Sequence, residues 1–259
     1  MQVKAKNLQI GYGENVIVND ISVTINKNEI TSIIGPNGSG KSTVLKAITR
    51  LLKYQKGTVF IDDLELNEYK PKELSKRIGV LAQKHSAPAD FRVKELVSYG
   101  RMPHQKSMFG LTKEDKQIVE ESMKKTNTWH LRDKSIFECS GGESQRVWIA
   151  TVLAQNPEIL FLDEPTTYLD VSHQMEVMQL VKKLNRETGV GIVMVLHDLT
   201  QAMEISDRII VIKDGKKYAE GKPEEVITPK MLFDVYNIEA DIVKIPNREK
   251  PIIVYKELA

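Results

Sequence analysis

Cysteine is nearly absent from this 259-residue chain: Cys139 stands alone, so no internal disulfide can form and a reducing compartment is expected. Neither it nor the five histidines fall at metal-ligand spacing, which excludes a structural zinc site of the finger type. Long apolar runs are missing as well. The longest, residues 189–196, falls far short of the ~20 residues that a membrane-crossing helix needs, so work at a membrane would require another chain to do the spanning. The start, Met1-Gln2-Val3-Lys4, leads into alternating residues and not into a charged-then-apolar leader. Nor does one sign of charge dominate. There are 37 basic and 35 acidic residues, net +2, with no block of like charge, so the basic footprint of a nucleic-acid binder is lacking. Internal repeats, low-complexity linkers and a long heptad array are also absent.

What is present suffices for a folded core: 41% of residues are hydrophobic and 28% charged, an ordinary globular balance. Residues 3–10, 16–25 and 58–61 read as strands of an antiparallel layer. Glu29-Ile30-Thr31-Ser32-Ile33-Ile34 is a short apolar strand running directly into a glycine-rich turn, after which Leu45, Ile48 and Leu52 recur at helical spacing. Residues 85–154 read as mostly helical, Thr112 capping a segment with Ile118, Val119 and Met123 on one side. Buried strands return at 159–162 and 192–196. The helix between them places Val177, Leu180, Val181 and Leu184 on one face. Strand, helix, strand implies a parallel sheet, hence an α/β fold. Residues 209–212, a turn at Asp214-Gly215 and a strand pair near 242–245 and 252–255 complete the chain.

The glycine-rich turn, Gly35-Pro36-Asn37-Gly38-Ser39-Gly40-Lys41-Ser42, satisfies the phosphate-loop pattern between a strand and a helix. Its glycines let backbone N–H groups converge on phosphate oxygens, and the helix N-terminus adds partial positive charge there. Lys41 is placed to reach the β- and γ-phosphates and Ser42 to offer its hydroxyl to Mg²⁺. Asp163 and Glu164 close the apolar run Ile159-Leu160-Phe161-Leu162, at the strand end where α/β sites lie. Asp163 suits the Mg²⁺ shell, and Glu164 suits a general base on the attacking water.

Cys139-Ser140-Gly141-Gly142-Glu143 then resembles the signature of ATP-binding-cassette proteins, with Cys139 where leucine is commonest. That resemblance implies one cassette domain over residues 1–259: a RecA-like parallel-sheet core, an antiparallel β subdomain, an inserted helical subdomain at roughly 85–155, and a carboxy-terminal extension at roughly 236–259. The implied nucleotide contacts are Tyr12, stacking on adenine, the loop from Gly35 to Ser42 with Thr43, and Ser140, Gly141 and Gly142 facing the γ-phosphate bound by a second copy. Gln83 would touch Mg²⁺ and water, His197 would act as the γ-phosphate switch, and Asp170 would lie in the loop that crosses between copies. The cofactors implied are ATP and Mg²⁺. His85, His104, His130 and His173 are read as surface or packing residues.

The stretch Arg92-Val93-Lys94-Glu95-Leu96-Val97-Ser98-Tyr99-Gly100-Arg101-Met102-Pro103-His104 resembles import ATPases serving ferric-siderophore, haem and cobalamin permeases. The resemblance implies an ATPase subunit peripheral to the cytoplasmic face of the cell membrane, paired head to tail with its own copy. A permease would contact it between Gln83 and His104, and an extracytoplasmic substrate-binding protein would take part indirectly. Ferric siderophore is the expected cargo, with haem or cobalamin as alternatives. A soluble cassette ATPase acting on nucleic acid or ribosomes is the remaining reading.

Overall fold

The computed structural model describes residues 1–88, 91–105 and 110–258. Ala89 and Asp90, inside the expected permease contact, residues 106–109, inside the expected helical subdomain, and Ala259, in the expected extension, lie outside the described residues. The chain divides into two compact units: Met1–Glu68 with Val193–Ala259, and Tyr69–Ile192.

The first unit opens with β1 (Gln2–Tyr12) and β2 (Asn15–Asn26), an antiparallel pair. Val3 and Ala5 are buried on β1, then Leu8 and Ile10. The switch from odd to even positions falls beside Asn7, which has a φ of 49°. On β2, burial passes from Val18 to Ile21, Val23 and Ile25 beside Asp20, which has a φ of 55°. One extra residue on a strand reverses which face is buried. Here the two irregularities secure each other, Asn7 Nδ2 donating to Asp20 Oδ1 at 2.7 Å. In β3 (Ile30–Ile34) all five residues are buried, as expected of a strand covered on both faces, and α1 (Lys41–Ile48) follows. β4 (Lys56–Ile61) and β5 (Leu64–Glu65) complete an antiparallel sheet of order β2-β1-β4-β5.

The second unit contains α2 (Pro71–Arg77), β6 (Ile78–Leu81), α3 (Val93–Ser98), α4 (Lys113–Lys125), α5 (Gly141–Leu153), β7 (Ile159–Asp163) and α6 (Val171–Thr188). β6 and β7 pair in parallel, Ile78 opposite Ile159 and Leu81 opposite Leu162. The unit boundary falls within β8 (Gly191–Val195), every residue of which is buried. Val93, Val97, Val119, Met123, Leu131 and Val147 form a separate apolar core for α3, α4 and α5. Thr112 caps α4 as expected, its Oγ1 accepting from the Asp115 N–H at 3.1 Å. Asp115 is also paired inside: Arg101 Nε donates to its Oδ1 at 2.9 Å, and Arg101 Nη1 donates to the Ala154 carbonyl at 2.7 Å.

The chain then re-enters the first unit through α7 (Leu199–Ile205), β9 (Arg208–Lys213) and β10 (Lys216–Gly221). β9 lies parallel to β3 and antiparallel to β10. Asp214 and Gly215 have φ of 47° and 70°, the left-handed pair that a tight hairpin turn needs. The chain therefore adopts the expected α/β class, with parallel central strands and an antiparallel layer. α8 (Pro223–Val226), α9 (Pro229–Tyr236) and a hairpin of β11 (Ile238–Val243) and β12 (Ile252–Leu258) follow. β11 begins earlier than the sequence suggests and stops before Ile245, because left-handed Asn237 (φ 56°) ends α9 and turns the chain straight into pairing.

Candidate functional site

In the first unit the chain leaves β3 through the glycine-rich loop. α1 starts without a side-chain cap, its N-cap Gly40 lying at φ 101°. A Cβ on Gly40 would come within 2.7 Å of Val18 Cγ2, so both conformation and space demand glycine. Glycine at the N-cap supplies no side chain to the first N–H groups of α1, and such a terminus favours anions. Lys41 is buried, with 5% of its surface exposed, and its ammonium donates to the Gly35 and Pro36 carbonyls at 2.9 Å each. The cation is thus folded back over the loop. Ser39 Oγ is buried and has no hydrogen-bond partner among the described residues, so the loop contains a polar atom open to a ligand or solvent. Ser42 and Thr43 are half-buried on the first turn of α1, Tyr12 is exposed at the end of β1, and His197 is exposed just beyond β8.

In the second unit β7 ends at Asp163, 3% exposed. Glu164 follows at a φ of 55°, a conformation uncommon for residues other than glycine, asparagine and aspartate and enriched at active sites. Its Oε2 accepts from Gln83 Nε2 at 2.6 Å and from Thr167 Oγ1 at 3.2 Å. Two donors on one oxygen fix the carboxylate's direction, as a base that must meet one water requires. Gln83, Gly141, Asp163 and Glu164 line one cavity of about 480 Å³. The second unit therefore brings together Gln83, Asp163, Glu164 and the first glycine of the signature. Thr167 was not singled out from sequence, although its position three residues after Glu164 was the available clue.

Ser140 is the N-cap of α5, so the signature does sit at a helix N-terminus. Its Oγ accepts from the Glu143 N–H at 3.2 Å, and Glu143 Oε2 accepts from the Ser140 N–H at 2.8 Å. The Ser140 N–H, with lesser help from its hydroxyl, outweighs the small burial cost and holds the Glu143 carboxyl below the usual range. Gly142 packs closely against His173: an added Cβ would lie 2.1 Å from His173 Cδ2. His173 is itself held by Asp170, whose Oδ1 caps α6 by accepting from the His173 N–H and lies 2.9 Å from its ring Nδ1. His173 thus packs, as read from sequence, but it packs on the signature. Gly142→Ala is expected to displace that ring and destabilise the protein by about 1–3 kcal/mol, measured as a lower denaturation midpoint. An unchanged midpoint would mean that the ring rotates away freely.

A glycine loop between a buried parallel strand and an uncapped helix, with a carboxylate pair ending a second parallel strand, defines a nucleoside-triphosphate-handling α/β protein. Residues 18–167 match the ABC transporter family, and the chain belongs to it. It is 43% identical over 256 residues to the iron(3+)-hydroxamate import ATP-binding protein FhuC of Bacillus subtilis strain 168, covering 99% of this chain and 95% of that protein. It is also 41% identical over 253 residues to the ferric enterobactin transport ATP-binding protein FepC of Escherichia coli K12, covering 98% and 93%. Among solved structures it resembles a dimeric post-hydrolysis state of the ATP-binding cassette MJ0796 bound to ADP and phosphate, with a TM-score of 0.72 and 35% identity over 85% of this chain and 98% of that one.

Proposed function

We propose that this chain is the ATP-hydrolysing subunit of an importer, coupling ATP binding and hydrolysis to uptake of an iron(III)-siderophore through a membrane permease. The observation that carries the cargo is the near-full-length similarity to iron-hydroxamate and ferric-enterobactin import subunits. Among the described residues no helix is long and apolar enough to cross a membrane, which suits a subunit that works beside permease chains on the cytoplasmic face.

The chemistry follows from the side chains. Lys41 neutralises phosphate charge, and the α1 amides bind phosphate oxygens. Glu164, aimed by Gln83 and Thr167, takes the proton of the water that attacks the γ-phosphorus. His197 contacts the γ-phosphate, and Tyr12 stacks on adenine. Ser42, Gln83 and Asp163 offer a hydroxyl, an amide oxygen and a carboxylate, the hard donor set that Mg²⁺ prefers. When bound there, Mg²⁺ neutralises the charge that develops on the phosphates. Ser140, Gly141 and Gly142 bind the γ-phosphate held by a second copy, so two chains enclose two nucleotides and hydrolysis removes the contact that bridges them.

For the permease, residues 83–104 are supported by a groove of about 490 Å³ lined by Phe91, Tyr99, Met102 and Leu111. Tyr99 and Met102 are 48% and 57% exposed, the adaptable apolar surface that suits a docked helix. The test is reconstitution with the cognate permease in proteoliposomes, with phosphate release followed as loaded binding proteins are added. Stimulation by a ferric-siderophore-loaded protein is expected. Stimulation by a haem- or cobalamin-loaded protein instead would overturn the cargo.

A further inference from the structure

Gln83 directs the Glu164 carboxylate by donating to its Oε2 at 2.6 Å, but Gln83 is exposed and lies beyond the end of β6, so its own direction needs a cause. Part of that cause is the sheet. β6 and β7 pair in parallel as far as Leu81 opposite Leu162, and two residues further along each strand stand Gln83 and Glu164. The register therefore delivers the two side by side. It does not fix the path of the loop that carries Gln83, because the ladder has ended there.

His85 supplies the missing restraint. Its ring packs on the Trp148 indole, with centroids 4.7 Å apart and planes inclined at 55°, a tilted geometry favoured by aromatic pairs. Its Nδ1 lies 3.1 Å from the Ala82 carbonyl, and because a carbonyl can only accept, Nδ1 carries the proton in this bond. The bond closes a short turn from Ala82 to His85 with Gln83 inside it. Trp148 lies on α5 and packs against the apolar core of α3, α4 and α5, as does Ala87, two residues past His85. α5 is itself pressed on β6, since a Cβ on Gly79 would lie 2.5 Å from Val152 Cγ1. The turn is thus tied at both ends, at Leu81 to the sheet and at His85 to a rigid helix. His85 lines the same cavity as Gln83 and Glu164, but its ring and polar contacts among the described residues are with Trp148 and Ala82.

We propose that His85, seated on Trp148, is a positioning residue for hydrolysis: its ring stack and its bond to Ala82 fix the turn that carries Gln83, and through Gln83 they set the direction of the Glu164 carboxylate. The proposal rests on the ATPase reading only for what the aimed carboxylate does.

The test uses the full chain with His85→Ala, which removes both contacts, and His85→Phe, which keeps a ring on Trp148 and removes only the bond to Ala82. In amide hydrogen exchange without nucleotide, His85→Ala is expected to speed exchange in residues 82–87 roughly 2- to 10-fold while sparing α4. In ATP turnover the same variant lowers kcat by a similar factor with KM held, and His85→Phe recovers most of the loss. Because His85 acts through Gln83, adding His85→Ala to Gln83→Ala is expected to lower kcat no further, whereas a merely structural role would lower it by the same factor in both backgrounds. Unchanged exchange or unchanged kcat in His85→Ala overturns the proposal, as do a phenylalanine variant as impaired as the alanine one and a full second loss in the Gln83→Ala background. Exchange decides the bracing even if the unsubstituted protein does not turn over ATP, a failure that would count against the ATPase reading instead.

Discussion

Replacing Glu164 with glutamine is expected to leave ATP binding intact while lowering turnover by roughly 10²-fold or more, the usual loss when a general base is removed. Glutamine keeps the length of the side chain and can still accept from Gln83 and Thr167, which donate to Glu164 Oε2 at 2.6 and 3.2 Å. Only the capacity to take a proton disappears. The left-handed backbone at Glu164, φ 55°, is retained too, so a change in local strain does not confuse the result. Phosphate release measured beside equilibrium nucleotide binding separates the two effects. Near-normal turnover would place the base elsewhere. A softer companion variant, Thr167→Val, removes one of the two donors and is expected to lower turnover by less.

The second large effect concerns stability. Arg101 and Asp115 face each other at 2.9 Å with side chains 5% and 8% exposed, and removing one partner strands the other charge away from water. Arg101→Leu is expected to cost about 3–5 kcal/mol, read as a fall in the thermal midpoint of the order of 10 °C for a chain of this size. The pH dependence has a definite sign. Burial alone would raise the Asp115 carboxyl, but the Thr112 hydroxyl and N–H together with Arg101 overcome it and hold the carboxyl below its ordinary range. A carboxylate depressed in the folded state adds stability that is fully present above its unfolded value, about 3.9, and is lost as pH falls through the folded one. The gap between the two proteins should therefore be full at neutral pH and narrow only in acid. A gap that persists unchanged through acid would mean that Arg101 acts by packing its stem and by donating to the Ala154 carbonyl.

What was legible in the sequence is what short stretches encode. The loop from Gly35 to Ser42 and the pair Asp163-Glu164 are contiguous, and their chemistry demands particular residue types at fixed spacing. The same holds for Thr112, whose capping of α4 needs only Asp115 three residues on, and for the apolar face of α6, where Val177, Leu180, Val181 and Leu184 are all buried. Contacts made across long separations left no such trace. Gly142 meets His173, and Gln83 meets Glu164, only because strands and helices return to one place. Gln83 was found through family resemblance. β11 was misjudged at its start because alternating Ile238, Glu239, Ala240 and Asp241 read as weakly apolar, and pairing with β12 supplies what local propensity does not.

The close seat of Gly142 on the His173 ring has a mechanical meaning. With no room for even a methyl group between them, and with Asp170 holding both the imidazole and the first turn of the eighteen-residue α6, the front of α5 cannot move toward the next helix without pressing on it. Under the proposed function, a push of the Ser-Gly-Gly turn in that direction when a nucleotide is spent would meet a lever some 27 Å long, at 1.5 Å per residue, and not a pliant loop.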